Sequence, residues 1–295
     1  MSLETVNPNA LAGLRSLRLL SMSQNKLVQL PERLLEPVPK LQRLFLGGKT
    51  DKDFHILVEG NLLESFPAGF FTRTPDLTTL DVSENRLKSW TKTFGNLTKL
   101  RTLDLRGNAI RELPADAFQG LTALEQLLLE SNKVPELPGQ IFHGLTALWG
   151  LALSDNKLSE LVELPAPIFQ GLLALQMLGL HDNKLVDLPA HIFEGLTKLQ
   201  ELQLDGNKLS LLAAGIFHGL AALQKLLLRN NALLELPAEI FQGLTALRRL
   251  DLRSNQLSEL PARTFDGLTA LELLGLSNNR LSELPAICDG AVRCL

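Results

Sequence analysis

Five histidines and two cysteines are the side chains of this chain best suited to hold a metal or move a proton, and their spacing argues against both. His143 and His218 sit in the same short string, FHGL, and His191 lies near that place in a related stretch, so the pattern spreads them apart. Asp51 and Asp53, in TDKDF, could touch a cation but read better as a solvated loop tip. Cys288 and Cys294 stand close together near the C-terminus and fit either a small disulfide or two buried thiols. No G-x-S-x-G, Walker A or H-E-x-x-H string occurs, so neither a nucleophile elbow, a phosphate cradle nor a zinc helix is encoded. Asn96-Leu97-Thr98 is a glycosylation sequon, of consequence only in a eukaryotic secretory pathway. The expectation is a protein without catalysis, cofactor or metal.

Charge and hydropathy narrow the remaining classes. Lys and Arg number 29 against 32 Asp and Glu, a formal net charge of -3, where a generic nucleic-acid binder would be basic. No run of eighteen apolar residues occurs, so membrane insertion is not expected. The opening MSLETVNPNALAGL lacks the basic segment and apolar stretch of a secretory signal. At 295 residues the chain is long for one compact core, but an array of repeats can make one continuous domain at that length.

Such an array is written plainly. Asparagine follows L-x-x-L-x-L-x-x, with Met22 and Val82 for the last leucine in the first two, at Asn25, Asn85, Asn108, Asn132, Asn156, Asn183, Asn207, Asn231, Asn255 and Asn279. From Asn85 the step is 24 residues, with single steps of 23 and 27. The second copy starts at Leu41 and should place its asparagine at 49, where Lys49 stands; past residues 49–60, Asn61 fills the slot. Phenylalanine keeps the same period at Phe71, Phe94, Phe118, Phe142, Phe169, Phe193, Phe217, Phe241 and Phe265. In LRTLDLRGN, Leu103 and Leu105 alternate with polar residues, the period of a strand. One strand per copy with a long crossover must lie parallel to the next.

These eleven copies, with LPAEIFQGLTAL as a representative crossover, resemble the leucine-rich repeat family in its 24-residue form, common in extracellular receptors. The resemblance implies an α/β solenoid of about eleven repeats, the leucine-rich repeat horseshoe. Its concave side would be parallel sheet and its convex side irregular or short-helical. Residues 1–295 then form a single domain: a minimal N-terminal cap at 1–16, repeats over 17–283 with an insert at 49–60, and a fragment of a C-terminal cap at 284–295. The repeat type points toward a secreted or cell-surface setting. The asparagine amides should satisfy turn backbone of adjacent coils, and the phenylalanines should stack inside.

The family's binding surface is the concave strand face, on the order of 50 Å long for eleven strands. Its outward residues here form zones. Small groups, Gly150, Ala152, Ser154 and Gly179, are bordered by Trp149, Met177 and His181, which reads as a shallow pocket with an aromatic anchor or as relief of crowding. Lys225, Arg229, Arg249 and Arg253 make a basic patch. Lateral pairing of Glu201 with Lys225 and Asp205 with Arg229 would solubilise part of it, while Arg249 and Arg253 outnumber Asp251. The insert has an apolar middle, Phe54, Ile56, Leu57 and Val58, which could meet a partner or pack locally. The expected partner is a protein, held by Trp149, Met177, His181, Arg229, Arg249, Arg253, Phe54 and Ile56. No nucleic acid is expected, and the chain should be a monomer that could self-associate. The alternatives are a self-associating structural spacer at the cell surface, or the recognition part of a larger receptor or enzyme.

Overall fold

The computed structural model describes residues 2–48, 60–90, 97–159 and 168–284 and the backbone of 293–294. The chain divides into two compact units, Met1–Leu148 and Trp149–Leu295. In the first, β1 (Leu19–Ser21), β2 (Arg43–Phe45), β3 (Thr79–Asp81), β4 (Thr102–Asp104) and β5 (Gln126–Leu128) pair parallel in chain order. In the second, β6 (Gly150–Ala152), β7 (Met177–Gly179), β8 (Glu201–Gln203), β9 (Lys225–Leu227), β10 (Arg249–Asp251), β11 (Leu273–Gly275) and β12 (Arg293–Cys294) do the same. From β1 to β11 each strand has three residues with leucine in the middle, and from β2 onward that leucine is buried. Its neighbours face outward, so the two-residue period of a strand separates core from surface. The crossovers are successive three-residue turns, such as Ala117 N–H to Pro114 O and Gln119 N–H to Asp116 O, and no helix occurs among the described residues. This is a parallel β-solenoid with irregular crossovers.

The recurring asparagine links one coil to the next. Asn207 is typical: its Oδ1 accepts the Leu185 N–H at 3.1 Å, and its Nδ2 donates to Leu180 O, Leu204 O and Asp205 O at 3.0, 3.0 and 3.3 Å. Asn61 works the same way. Its Oδ1 accepts the Leu27 N–H at 3.0 Å and its Nδ2 donates to Met22 O and Leu46 O at 2.9 and 2.7 Å. At the first described coil, Leu3 makes the bonds that a preceding coil makes elsewhere: its N–H donates to Asn25 Oδ1 at 2.8 Å and its carbonyl accepts from Lys26 N at 2.7 Å.

The aromatic column lies inside the crossovers. In unit 2, Phe169, Phe193, Phe217 and Phe241 stack at 6.3–6.4 Å with rings within 13° of parallel. In unit 1, Phe118 stacks on Phe142 at 6.4 Å, and the ring next to Phe118 on the other side is Trp90, also at 6.4 Å. Trp90 is buried and donates its indole N–H to Ala117 O at 3.2 Å. Phe94 lies outside the described residues. The shorter copy thus places a tryptophan, tilted by 43° and satisfied by a hydrogen bond as a buried indole must be, beside the phenylalanine stack.

The residue before each of these asparagines other than Asn61 sits in the left-handed region, for example Glu84 at φ 51°, Ser131 at 55° and Asp182 at 53°. Gly107, at φ +62°, has a second reason to be glycine: a Cβ there would fall 2.1 Å from Glu84 Oε1. Gly107→Ala should therefore cost about 1–2 kcal/mol. Thermal denaturation of the double variant Glu84→Ala/Gly107→Ala should recover the part due to the clash and keep the part due to φ.

Candidate functional site

The strand face of unit 2 is built by register. Along one outward row stand Gly150, Met177, Glu201, Lys225, Arg249 and Leu273; along the next, Ala152, Gly179, Gln203, Leu227, Asp251 and Gly275. Met177 is 44% exposed at the start of β7. Trp149 precedes β6 and is half-buried, its carbonyl accepting the N–H of Gln176 and Met177 at 2.8 and 2.9 Å. His181 lies four residues beyond Met177, past the strand end, where its Nδ1 meets the buried Ser154 Oγ at 2.7 Å. A Cβ on Gly179 would come within 2.9 Å of that hydroxyl. Part of the small zone is thus there to admit the Ser154–His181 pair. Trp149 and Met177 flank one end of the zone and His181 the other.

On and just past β8 to β10 each carboxylate faces a cation, though Asp205 Oδ1 is buried without a hydrogen-bond partner. Lys225 Nζ lies 2.6 Å from Glu201 Oε1 and Arg229 Nε 3.5 Å from Asp205 Oδ2, the two lateral pairs expected from the repeat alignment. Asp251 is fully buried beneath two arginines. Arg253 holds it with both Nε, at 2.8 Å, and a terminal nitrogen, at 2.5 Å, while Arg249 reaches it only at 3.5 Å. Burial works against ionisation of Asp251, yet the bonds from Arg253 hold its carboxyl below the ordinary value. A Cβ on Gly275 would sit 2.9 Å from Asp251 Oδ1 and 3.0 Å from Arg253 Cγ, so the next strand must carry glycine to admit this pair.

Unit 1 carries an opposite arrangement that the sequence names residue by residue without revealing as a cluster. Asp81 and Asp104 are register neighbours on β3 and β4. Arg106 binds Asp104 through two nitrogens, at 3.0 and 2.6 Å, and Glu84 and Glu130 complete the group. Four carboxylates thus surround one guanidinium. Asp81 is raised above the ordinary carboxylate value by burial and by Asp104; Glu84 and Glu130 are raised chiefly by burial, and Glu130 Oε2 is buried without a hydrogen-bond partner.

These shifts fix the sign of a pH dependence. A carboxyl raised in the folded state binds protons more tightly there than in the unfolded chain, so its ionisation costs stability as pH rises through the folded value. Stability should increase as pH falls from neutrality through the raised titration range of Asp81, Glu84 and Glu130 toward the ordinary carboxylate range. Glu201 and Asp251, both held low, act oppositely and lose their contribution only below the ordinary carboxylate range. Melting temperature against pH should peak on the acid side of neutrality, and Glu130→Gln should raise the neutral value and flatten the slope. A Glu130→Gln profile parallel to the parent would remove Glu130 from the effect.

Arg229, Arg249 and Arg253 therefore share one face of unit 2 with Met177. Phe54, Ile56 and Cys288 lie outside the described residues, as does the side chain of Cys294. The feet of the insert are described: Gly48 N–H donates to Ser83 O at 3.3 Å and Gly60 N–H to Glu84 O at 3.0 Å, just past β3. His143, His191 and His218 are exposed on separate crossover turns. Among the described residues no group of three His, Cys, Asp or Glu is placed to hold a metal ion, and no helix is long and apolar enough to cross a membrane.

Residues 55–110, 98–158, 158–209, 173–233 and 222–281 each match the family described as Leucine rich repeat. Mouse PH domain leucine-rich repeat-containing protein phosphatase 1 is 33% identical over 120 residues, which are 36% of this chain and 7% of the phosphatase. Toll of Drosophila, solved in complex with Spatzle, superimposes with a TM-score of 0.83 at 29% identity, over 95% of this chain and 35% of that one. TLR13, solved in complex with ssRNA13, gives 0.81 at 28% identity, over 95% of this chain and 39% of that one. The chain thus spans a small fraction of its sequence relative and little more than a third of each receptor chain.

Proposed function

The chain belongs to the leucine-rich repeat family, and we propose that it is a recognition module that binds another protein through the outward face of its strands, with no catalysis of its own. One observation carries this. In unit 2 the inward row is leucine in every strand from β6 to β11, while the outward row changes from glycine to methionine, glutamate, lysine, arginine and leucine. A spacer needs the constant row but has no use for the varied one. The solved relatives include a receptor bound to a protein and one bound to single-stranded RNA. Charge favours the protein, because single-stranded nucleic acid is held in positively charged grooves. Here β8 to β10 carry four cations against three carboxylates, and the whole chain is at -3. Phe54 and Ile56, in the insert that leaves from Gly48 and returns at Gly60, extend the surface. The larger proteins that contain such arrays support a setting in which this chain is the recognition part.

The test is capture from a native extract by the intact chain, by Met177→Glu/Arg249→Glu, and by a chain lacking residues 49–60, which restores the ordinary spacing from Leu46 to Asn61. Melting curves first establish that all three are folded. The double variant should lose the captured protein, and the deletion should weaken it. A protein retained equally by all three would move binding off the strand face, and concentration-dependent mass without capture would favour the self-associating spacer.

A further inference from the structure

The charges on β8 to β10 do not close. Glu201 is taken by Lys225 and Asp251 by two nitrogens of Arg253, while Asp205 has only a 3.5 Å contact from Arg229. Arg249 is left with one contact of 3.5 Å to an oxygen already held by Arg253. Its side chain is 40% exposed, while its Nε is buried without a hydrogen-bond partner, so the open capacity is at the terminal nitrogens. A guanidinium offers five N–H donors in a planar fork, so most of Arg249's capacity is uncommitted. It also stands in register beside Lys225, and like charges on neighbouring strands repel. A carboxylate on Arg249 would supply the missing acceptors and offset that repulsion.

The same outward row holds the most exposed apolar side chain of the face. Met177 lies on β7 and Arg249 on β10, in line through Glu201 and Lys225, which bind each other. Three strand spacings of about 4.8 Å separate them by about 14 Å. An extended peptide rises about 3.3 Å per residue and shows every second side chain on one side, so residues four apart would reach both positions from the same face. Resting on the protein-binding reading above, we infer that unit 2 reads an extended acidic segment laid across its strands, with an apolar side chain against Met177 and a carboxylate four residues away on Arg249.

A phage-displayed library of random twelve-residue peptides, selected on the full chain, tests this. The enriched peptides should carry Asp or Glu four positions from a large apolar residue. A synthetic peptide of the enriched sequence should bind about tenfold more weakly to Arg249→Gln, in line with loss of a charge-assisted bidentate contact. It should bind with an intermediate loss to Arg249→Lys, which keeps charge without the fork, and within about twofold of the parent to Arg229→Gln, which lies outside the row of Met177 and Arg249. Circular dichroism melting of each variant separates lost binding from lost fold. Enriched peptides without the acidic residue, or an affinity that ignores Arg249→Gln, overturn the inference and leave protein binding standing. If no peptide is enriched while a heparin octasaccharide or a single-stranded RNA oligonucleotide binds, both fall; if nothing binds, the inference falls with that selection.

Discussion

Replacing Asn61 with alanine should destabilise unit 1 by roughly 2–6 kcal/mol, at about 1–3 kcal/mol for a buried N–H left unpaired and about 0.5–1.5 kcal/mol for each of two further hydrogen bonds lost. The Leu27 N–H loses its partner outright, while the carbonyls of Met22 and Leu46 each lose one donor and keep another, Asn25 Nδ2 and Asn85 Nδ2. Asn61 is only 3% exposed, so water cannot readily replace the amide. Urea denaturation reads the total, and hydrogen exchange at the Leu27 amide reads the local part, because stability in a repeat array is carried by neighbouring coils. Asn25→Ala is the contrast. That asparagine makes the same kinds of bond, to Met22 O, Ser23 O and the Leu3 N–H, but it is half-buried in the first coil and solvent can substitute. Its loss should be clearly smaller. Equal losses for the two variants would mean that Asn61 is no coil-to-coil link and that the repeat does not resume there.

Asn61 also shows why most of this fold can be read from sequence. The asparagine slot tolerates no other residue cheaply, since few side chains donate and accept on one rigid amide, so the slot can be followed across a twelve-residue interruption. Inward leucines and stacked phenylalanines repeat for the same reason: each must match the coil before and after it. Where a copy departs from the period, the reading weakens. Phe94 lies outside the described residues, and Trp90, whose ring lies 6.4 Å from that of Phe118, belongs to no periodic slot and is recognisable only through the hydrogen bond from its indole to Ala117 O.

The outward face obeys no such rule. Asp81, Glu84, Asp104, Arg106 and Glu130 come from three consecutive copies and one turn, and nothing in their local sequence announces that burial raises three of the carboxyls. Likewise, sequence counts Arg249 and Arg253 against Asp251, but only geometry gives the carboxylate to Arg253 and leaves Arg249 with a long contact. The periodic residues record the fold, which is a property of each copy with its neighbours. The residues that could bind record a surface assembled from many copies, and there the outcome turns on fractions of an ångström.

The aromatic column gives the second large effect. Phe193→Ala should cost about 3–5 kcal/mol, the usual range for deleting a fully buried ring and leaving a cavity. Phe193 has no exposed surface and is stacked on both sides, by Phe169 at 6.4 Å and Phe217 at 6.3 Å. Neither neighbour can move into the gap without leaving its own stack, so the cavity cannot collapse. Phe193→Leu keeps most of the volume and should cost no more than about 1.5 kcal/mol. Phe265 holds the same place in the last full copy but is only half-buried, and Phe265→Ala should cost markedly less than Phe193→Ala. Urea midpoints of the three variants decide the matter. If Phe265→Ala costs as much as Phe193→Ala, the phenylalanines act through each coil alone and the stack adds nothing. If Phe193→Leu costs as much as Phe193→Ala, ring stacking outweighs filled volume in holding the coils together.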